Sequence, residues 1–274
     1  MDNDDKPVGH VLSRRELLKL LGGSGIVLAV GGGVVNWVGA QTATPTPSPT
    51  STPIPACVVR PELTEGPYFV DVNLNRSDIR LDPTTEIIKA GMPFKLIFNV
   101  SDMTDGKCQP LEGAQVDIWH CDAQGVYSGV GSEGTADELW LRGYQLTDEK
   151  GIAEFITIYP GWYPGRTVHI HFKIQVNPET NQAYEFTSQL FFEEDMSDLI
   201  YEHEAYSRSS YRNTLNEDDN IFNQSGDVLT LELTETTIDD EDGYTATFNI
   251  GLDLSDTSVG ADDSANNRGG QRRP

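Results

Sequence analysis

Cysteine and basic residues are both scarce in this chain of 274 residues. Cys57, Cys108 and Cys121 are odd in number and cannot form a closed disulfide framework, and their spacings match no zinc knuckle. One bridge plus one buried thiol fits an exported chain, with Cys57–Cys108 the preferred pair and the other pairings open. Lys and Arg number 19 against 43 Asp and Glu, a formal charge of −24. Such a surface keeps a protein soluble and repels phosphate backbones, so no nucleic-acid partner is expected. The first 40 residues carry four acids and four bases, so the imbalance belongs to the remainder. No internal repeat is visible.

Long apolar runs are nearly absent too, and the one present sits at the amino terminus. Ser13-Arg14-Arg15-Glu16-Leu17-Leu18-Lys19 is followed by an apolar, Gly-rich stretch from Leu20 to Val38, ending in Gly39-Ala40. Twin arginines, an apolar run and small residues at its end read as a Tat-type export signal over 1–40. The competing reading is an uncleaved membrane anchor, the only way this chain is expected to meet a membrane. No cysteine follows the run closely, which argues against a lipoprotein. Residues 41–55 are a Thr/Pro/Ser tract, a stiff spacer rather than core. A folded domain is expected over 56–254 and a disordered polar tail over 255–274.

Within that domain, apolar residues recur with period two, the mark of strands with one buried face. The alternating sets are Phe94, Leu96, Phe98 and Val100; Val116, Ile118 and His120; Val168, Ile170, Phe172, Ile174 and Val176; Leu229, Leu231 and Leu233; and Tyr244, Ala246, Phe248, Ile250 and Leu252. Ile152–Ile158 is strand-like as well. Only Met196–Ser207 reads as a helix. The expectation is an all-β sandwich of mostly antiparallel strands, with long loops and little helix.

The segment Tyr159–Ile174, YPGWYPGRTVHIHFKI, carries the most chemistry. His169 and His171 are two apart in a strand, so both leave the face opposite the apolar one. Imidazole is a common ligand for iron, copper and zinc, though His-x-His alone is more often an ordinary surface or core pair. The loop before it holds Pro160, Gly161, Trp162, Tyr163, Pro164, Gly165 and Arg166. Its prolines and glycines make it rigid, and it delivers Tyr163 and Arg166 to the end of the same strand. The plain structural alternative is a turn with an arginine lying along it.

PGWYPGR followed by HIHF resembles the iron-site signature of the intradiol ring-cleavage dioxygenases. Two further blocks match in order: Val116-Asp117-Ile118-Trp119 running into Asp122-Ala123-Gln124-Gly125-Val126-Tyr127-Ser128, and Thr64-Glu65-Gly66-Pro67-Tyr68-Phe69. The resemblance spans about Cys57 to Leu252 and is closest to exported, single-domain members. It implies one non-haem Fe(III) per chain, held by Tyr127, Tyr163, His169 and His171. Phenolate is a hard donor that favours the ferric state. It implies a small aromatic diol and O2 as reactants and a cis,cis-muconate-type diacid as product. It further implies that Tyr163 doubles as a base, that Arg166 stabilises negative charge on the activated ring, and that Gln189 lies near the substrate. Tyr68, Trp119 and Trp162 are candidate pocket walls. His120, on the apolar face of its strand, reads as a core histidine, and His203 as structural or exposed. The identity of the diol and the oligomeric state, a homo-oligomer included, stay open. Two rivals make different predictions. An exported binding module for aromatics or carbohydrate with a vestigial site would be colourless. A hydrolase would carry zinc on His and carboxylate ligands.

Overall fold

The computed structural model describes residues 57–104, 106–177 and 183–256. The export signal and spacer, together with the tail beyond Asp256, lie outside them. Among the described residues, ten strands form two five-stranded sheets. The first contains β1 (Pro93–Asp102), β2 (Gln109–Pro110), β5 (Ile152–Ile158), β9 (Thr234–Ile238) and β10 (Glu241–Leu252). Its order is β2-β1-β10-β9, with β5 beside β2 along the same edge of β1. The second contains β3 (Gln115–Trp119), β4 (Arg142–Leu146), β6 (His169–Val176), β7 (Tyr184–Phe192) and β8 (Thr230–Leu231), in the order β4-β3-β6-β7-β8.

The sheets meet through the alternating apolar sets. Phe98 of β1 packs on Phe172 of β6 at 5.4 Å between ring centroids and on Phe248 of β10 at 5.8 Å. Phe94 meets Phe192 at 5.9 Å. These rings, with Leu96, Val100, Ile118, Ile170, Ile174 and Ile250, are excluded from solvent and form one core between the layers. The architecture is therefore an all-β sandwich. Most ladders are antiparallel, but the longest is not: β1 runs parallel to β10 from Phe94 opposite Tyr244 to Asp102 opposite Leu252. Parallel neighbours need a long crossover, and here everything between the two strands supplies it.

Two local expectations change. Leu229, Leu231 and Leu233 do not share a long strand, because only Thr230–Leu231 pairs, against Phe191–Phe192. Helix α1 spans Glu194–Ile200 and stops well short of Ser207. Beyond it His203 is extended, its ring caps a three-residue 3-10 turn at Ala205 N–H, and Tyr206 ends that turn. The reason is tertiary. The Tyr201 hydroxyl donates to the Pro160 carbonyl at 3.0 Å and the Tyr206 hydroxyl to the Tyr159 carbonyl at 2.6 Å. Residues five apart point to different sides of a continuous helix, so both bonds to one loop require a break.

The preferred cysteine pair is joined: Cys57 and Cys108 form a disulfide, and Cys121 is a buried free thiol. No helix of the described residues is long and apolar enough to cross a membrane.

Candidate metal centre

β6 is buried on both faces. Ile170, Phe172 and Ile174 enter the core, and His169, His171 and Lys173 on the other face are also at most 4 % exposed. A strand buried on only one side would leave the histidines in water, so something covers them. The cover is the Thr64–Phe69 segment and two loops carrying Tyr127 and Tyr163.

Those loops are locked together. After β3 the chain turns tightly around Asp122, whose carboxylate accepts the Gln124 and Val126 amides at 2.9 and 3.0 Å. Gly125 in that turn has φ +81°, and a Cβ there would lie 2.1 Å from the Trp162 carbonyl oxygen. Both facts require glycine. The Gly161 amide donates to the Asp122 carbonyl at 3.1 Å, and the Cys121 thiol donates to the Gly161 carbonyl at 3.3 Å. The two tyrosine-bearing loops therefore move as one piece.

The result is a convergence of donor atoms. His169 Nε2 lies 3.1 Å from Tyr163 Oη, 3.1 Å from His171 Nε2 and 3.4 Å from Tyr127 Oη. His169 Nδ1 donates to the Thr167 carbonyl at 2.6 Å, which leaves a lone pair on Nε2 facing the cluster. His171 is stacked under Trp119 at 5.0 Å and 7°. Tyr127 is stacked under Tyr68 at 4.5 Å and 24°. Burial pushes His169 down to about 3, with the Arg166 guanidinium adding to it, and drives His171 well below the usual imidazole range. Burial likewise pushes both phenols up, Arg166 opposing it at Tyr163. All four groups thus favour their neutral forms until a cation reverses the balance for the phenols.

The set fits a metal. Ligands about 2.1 Å from one ion and about 90° to 120° apart are separated by about 3.0 to 3.6 Å, the range seen here. Among the described residues no group of three His, Cys, Asp or Glu side chains is placed to hold an ion. The donor set is instead half phenol, which suits a hard trivalent ion better than zinc.

Arg166 completes the site. Its Nη1 is 3.4 Å from His169 Nε2, its Nη2 donates to Gln189 Oε1 at 2.5 Å, and its Nε donates to Asp219 Oδ2 at 2.8 Å. Asp219 also accepts the Thr167 amide at 2.8 Å and the Ile221 amide at 2.7 Å. Burial alone would raise its pKa, but Arg166 and these amides outweigh it and hold the carboxyl below the usual range. Gln189 is wholly buried and touches Arg166 and the Thr64 carbonyl.

The sequence pattern therefore brings together Tyr127, Tyr163, His169, His171, Arg166 and Gln189. Asp219 and Arg142 were not foreseen: Asp219 sits in an acidic loop without periodicity, and Arg142 is a buried strand residue that donates to the Ser128 and Tyr68 carbonyls. Of the aromatic candidates, Tyr68 and Trp119 pack on the donor cluster. Trp162 belongs to the main core, with the Arg208 guanidinium 4.1 Å above its ring. His120 is a core histidine, bonded to the Cys121 carbonyl and the Thr157 hydroxyl. His203 is exposed and caps its turn.

A family model described as a dioxygenase matches residues 64–253, which takes in both sheets and the whole donor cluster. The chain belongs to the intradiol ring-cleavage dioxygenase family. Among solved structures it is similar to an intradiol ring-cleavage dioxygenase from Tetranychus urticae, at 30% identity and a TM-score of 0.62, over 73% of this chain and 97% of that one. The dioxygenase domain of a carbohydrate-binding fusion protein from Streptomyces sp. SirexAA-E aligns at 28% identity and a TM-score of 0.50, over 72% of this chain and 99% of that domain. A catechol 1,2-dioxygenase of Acinetobacter lwoffii is 29% identical over 168 residues, 54% of this chain and 50% of that protein. The chain spans half or less of the length of the curated relatives it matches.

Proposed function

We propose that this protein is an exported, Fe(III)-dependent enzyme that opens the ring of a catechol-type diol with O2 between its two hydroxyl-bearing carbons, giving a cis,cis-muconate-type diacid. The observation that carries the proposal is the gathering of Tyr127, Tyr163 and His171 donors within 3.1 to 3.4 Å of the His169 Nε2 atom. A ferric ion bound there would acidify the diol and draw electron density from its ring. The chain's own groups do the rest. Thr167 fixes the His169 tautomer, Trp119 fixes the plane of His171, and neutral imidazoles are ready to donate. Tyr163 Oη, a phenolate once a cation is bound, would serve as a base for a diol proton. Arg166, braced by Asp219 and Gln189, places a fixed positive charge beside the donor cluster, 3.4 Å from His169 Nε2, and would stabilise negative charge on a ring bound there. The surrounding aromatic rings exclude water. Export is supported by the twin-arginine segment and by the Cys57–Cys108 bridge, which suits an oxidising compartment. A vestigial binding module would have lost at least one donor, and none is missing.

The test is oxygen uptake. Protein purified aerobically and loaded with iron is given a panel of catechols at an oxygen electrode. The expected result is one O2 consumed per ring and an acyclic diacid product. Iron-loaded protein that consumes no oxygen with any member of the panel would refute the proposal.

A further inference from the structure

Lys173 follows His169 and His171 along the same face of β6, yet it takes no part in the donor cluster. Only 4 % of it is exposed. Its ammonium lies 2.5 Å from Glu65 Oε2 and 2.8 Å from Glu185 Oε1, and 4.4 Å above the Phe69 ring. A lysine this buried is held by its partners, and the Glu65 partner belongs to the segment that covers the site.

That segment presses directly on the donors. Gly66 has φ +74°, and a Cβ there would lie 3.2 Å from His171 Cε1. Tyr68 stacks on Tyr127 and meets Tyr163 edge-on at 6.3 Å. Two other buried side chains hold the same segment by its backbone. Gln189 Nε2 donates to the Thr64 carbonyl at 2.8 Å and Arg142 Nη1 to the Tyr68 carbonyl at 2.7 Å. The three anchors share one sheet: Gln189 and Arg142 lie in the row of His171 and Trp119, and Lys173 is two residues further along β6. Lys173 alone among them grips a side chain of the segment, between its two backbone anchors.

We propose that Lys173 is a positioning residue: by gripping Glu65 it holds Gly66 against His171 and Tyr68 against Tyr127, and so fixes the aromatic wall against which the diol binds. The proposal rests on the catechol-cleaving reading of the site. Lys173 touches neither the donors nor the reacting atoms, so its loss acts on binding rather than on the chemical step. Glu65 keeps 26 % of its side chain exposed, so without the Lys173 ammonium its carboxylate can turn towards water and loosen the segment.

The test compares wild type with Lys173→Met, Lys173→Arg and Glu65→Gln in the full chain. Amide hydrogen exchange over residues 63–70 reports the grip without any need for turnover. KM and kcat for catechol, with iron content, report its consequence. Lys173→Met and Glu65→Gln should speed exchange in that segment and raise KM on the order of tenfold, the loss of one charge-assisted bond. Iron content should hold and kcat should change by no more than about twofold, and Lys173→Arg should restore both exchange and KM. Unchanged exchange in Glu65→Gln, which is partly exposed and expected to fold, would overturn the grip. Faster exchange with unchanged KM would overturn its part in substrate binding. A wild type that turns over no catechol would refute the catechol-cleaving reading instead, and the exchange result would still decide the grip.

Discussion

Replacing Asp219 with Asn tests how the site holds its positive charge. The Asp219 carboxylate is almost wholly buried and receives four donors: Arg166 Nε and the Thr167 amide at Oδ2, both at 2.8 Å, and the Ile221 and Phe222 amides at Oδ1, at 2.7 and 3.2 Å. An amide of the same shape has only one oxygen. Whichever way it turns, its NH2 faces two donors, and the Arg166 partner is no longer charged. Hydrogen bonds to charged groups contribute about 1.5 to 3 kcal/mol each, so a loss of about 3 kcal/mol is expected. Expressed in the chemical step, that is about a hundredfold in kcat/KM. Expressed in stability, it lowers Tm by about 6 to 12 °C for a domain of this size. None of the four side chains proposed to hold the iron is altered, so iron content should hold. Oxygen-electrode kinetics beside iron analysis and a thermal melt make the assay. Wild-type kcat/KM in Asp219→Asn would refute the idea that this carboxylate braces Arg166.

Other consequences follow from the core and the termini of the fold. Phe98→Ala removes a fully buried ring that touches Phe155, Phe172 and Phe248, and should cost about 3 to 5 kcal/mol in denaturant unfolding. A loss under about 1 kcal/mol would contradict the packing described. Replacing Cys57 and Cys108 by Ser opens a loop closed across 51 residues of sequence separation. Chain entropy predicts a loss of about 4 kcal/mol, read as a lower Tm, and reducing agent should mimic it in the wild type. Burial pushes His120 down to about 4 from its ordinary 6.5, so the unfolded chain takes up that proton first as pH falls. The stability is fully present above about pH 6.5 and is lost as pH falls through about 4, about 3 kcal/mol in all. His120→Gln should flatten that part of the stability profile, and an unchanged profile would refute the assignment.

The strands of the core were legible because their apolar residues alternate and the alternation has one solution: Phe94 to Val100 and Val168 to Val176 both face the opposite sheet. The donor cluster was legible because each donor lies in a short motif of unusual composition. What could not be read depends on pairing over long distances. Nothing in the period of β1 or β10 says that they run parallel, since partner direction is set by the crossover and not by the strand. The break after Ile200 follows from two hydroxyls reaching one loop. Asp219 is legible only once Arg166 has been placed against it, 53 residues away in sequence. Burial of the histidine face was also hidden, because the residues that cover it come from before β1 and from two loops rather than from β6 itself.

The central claim is that two phenols and two imidazoles hold one ferric ion. Metal analysis of the protein purified aerobically, paired with its visible absorption spectrum, tests it most directly. One iron per chain is expected, with a tyrosinate-to-iron charge-transfer band that shifts in Tyr163→Phe and is lost with the iron in His171→Ala. A colourless protein that carries zinc, or one whose iron and spectrum are indifferent to Tyr127, Tyr163, His169 and His171, would contradict it.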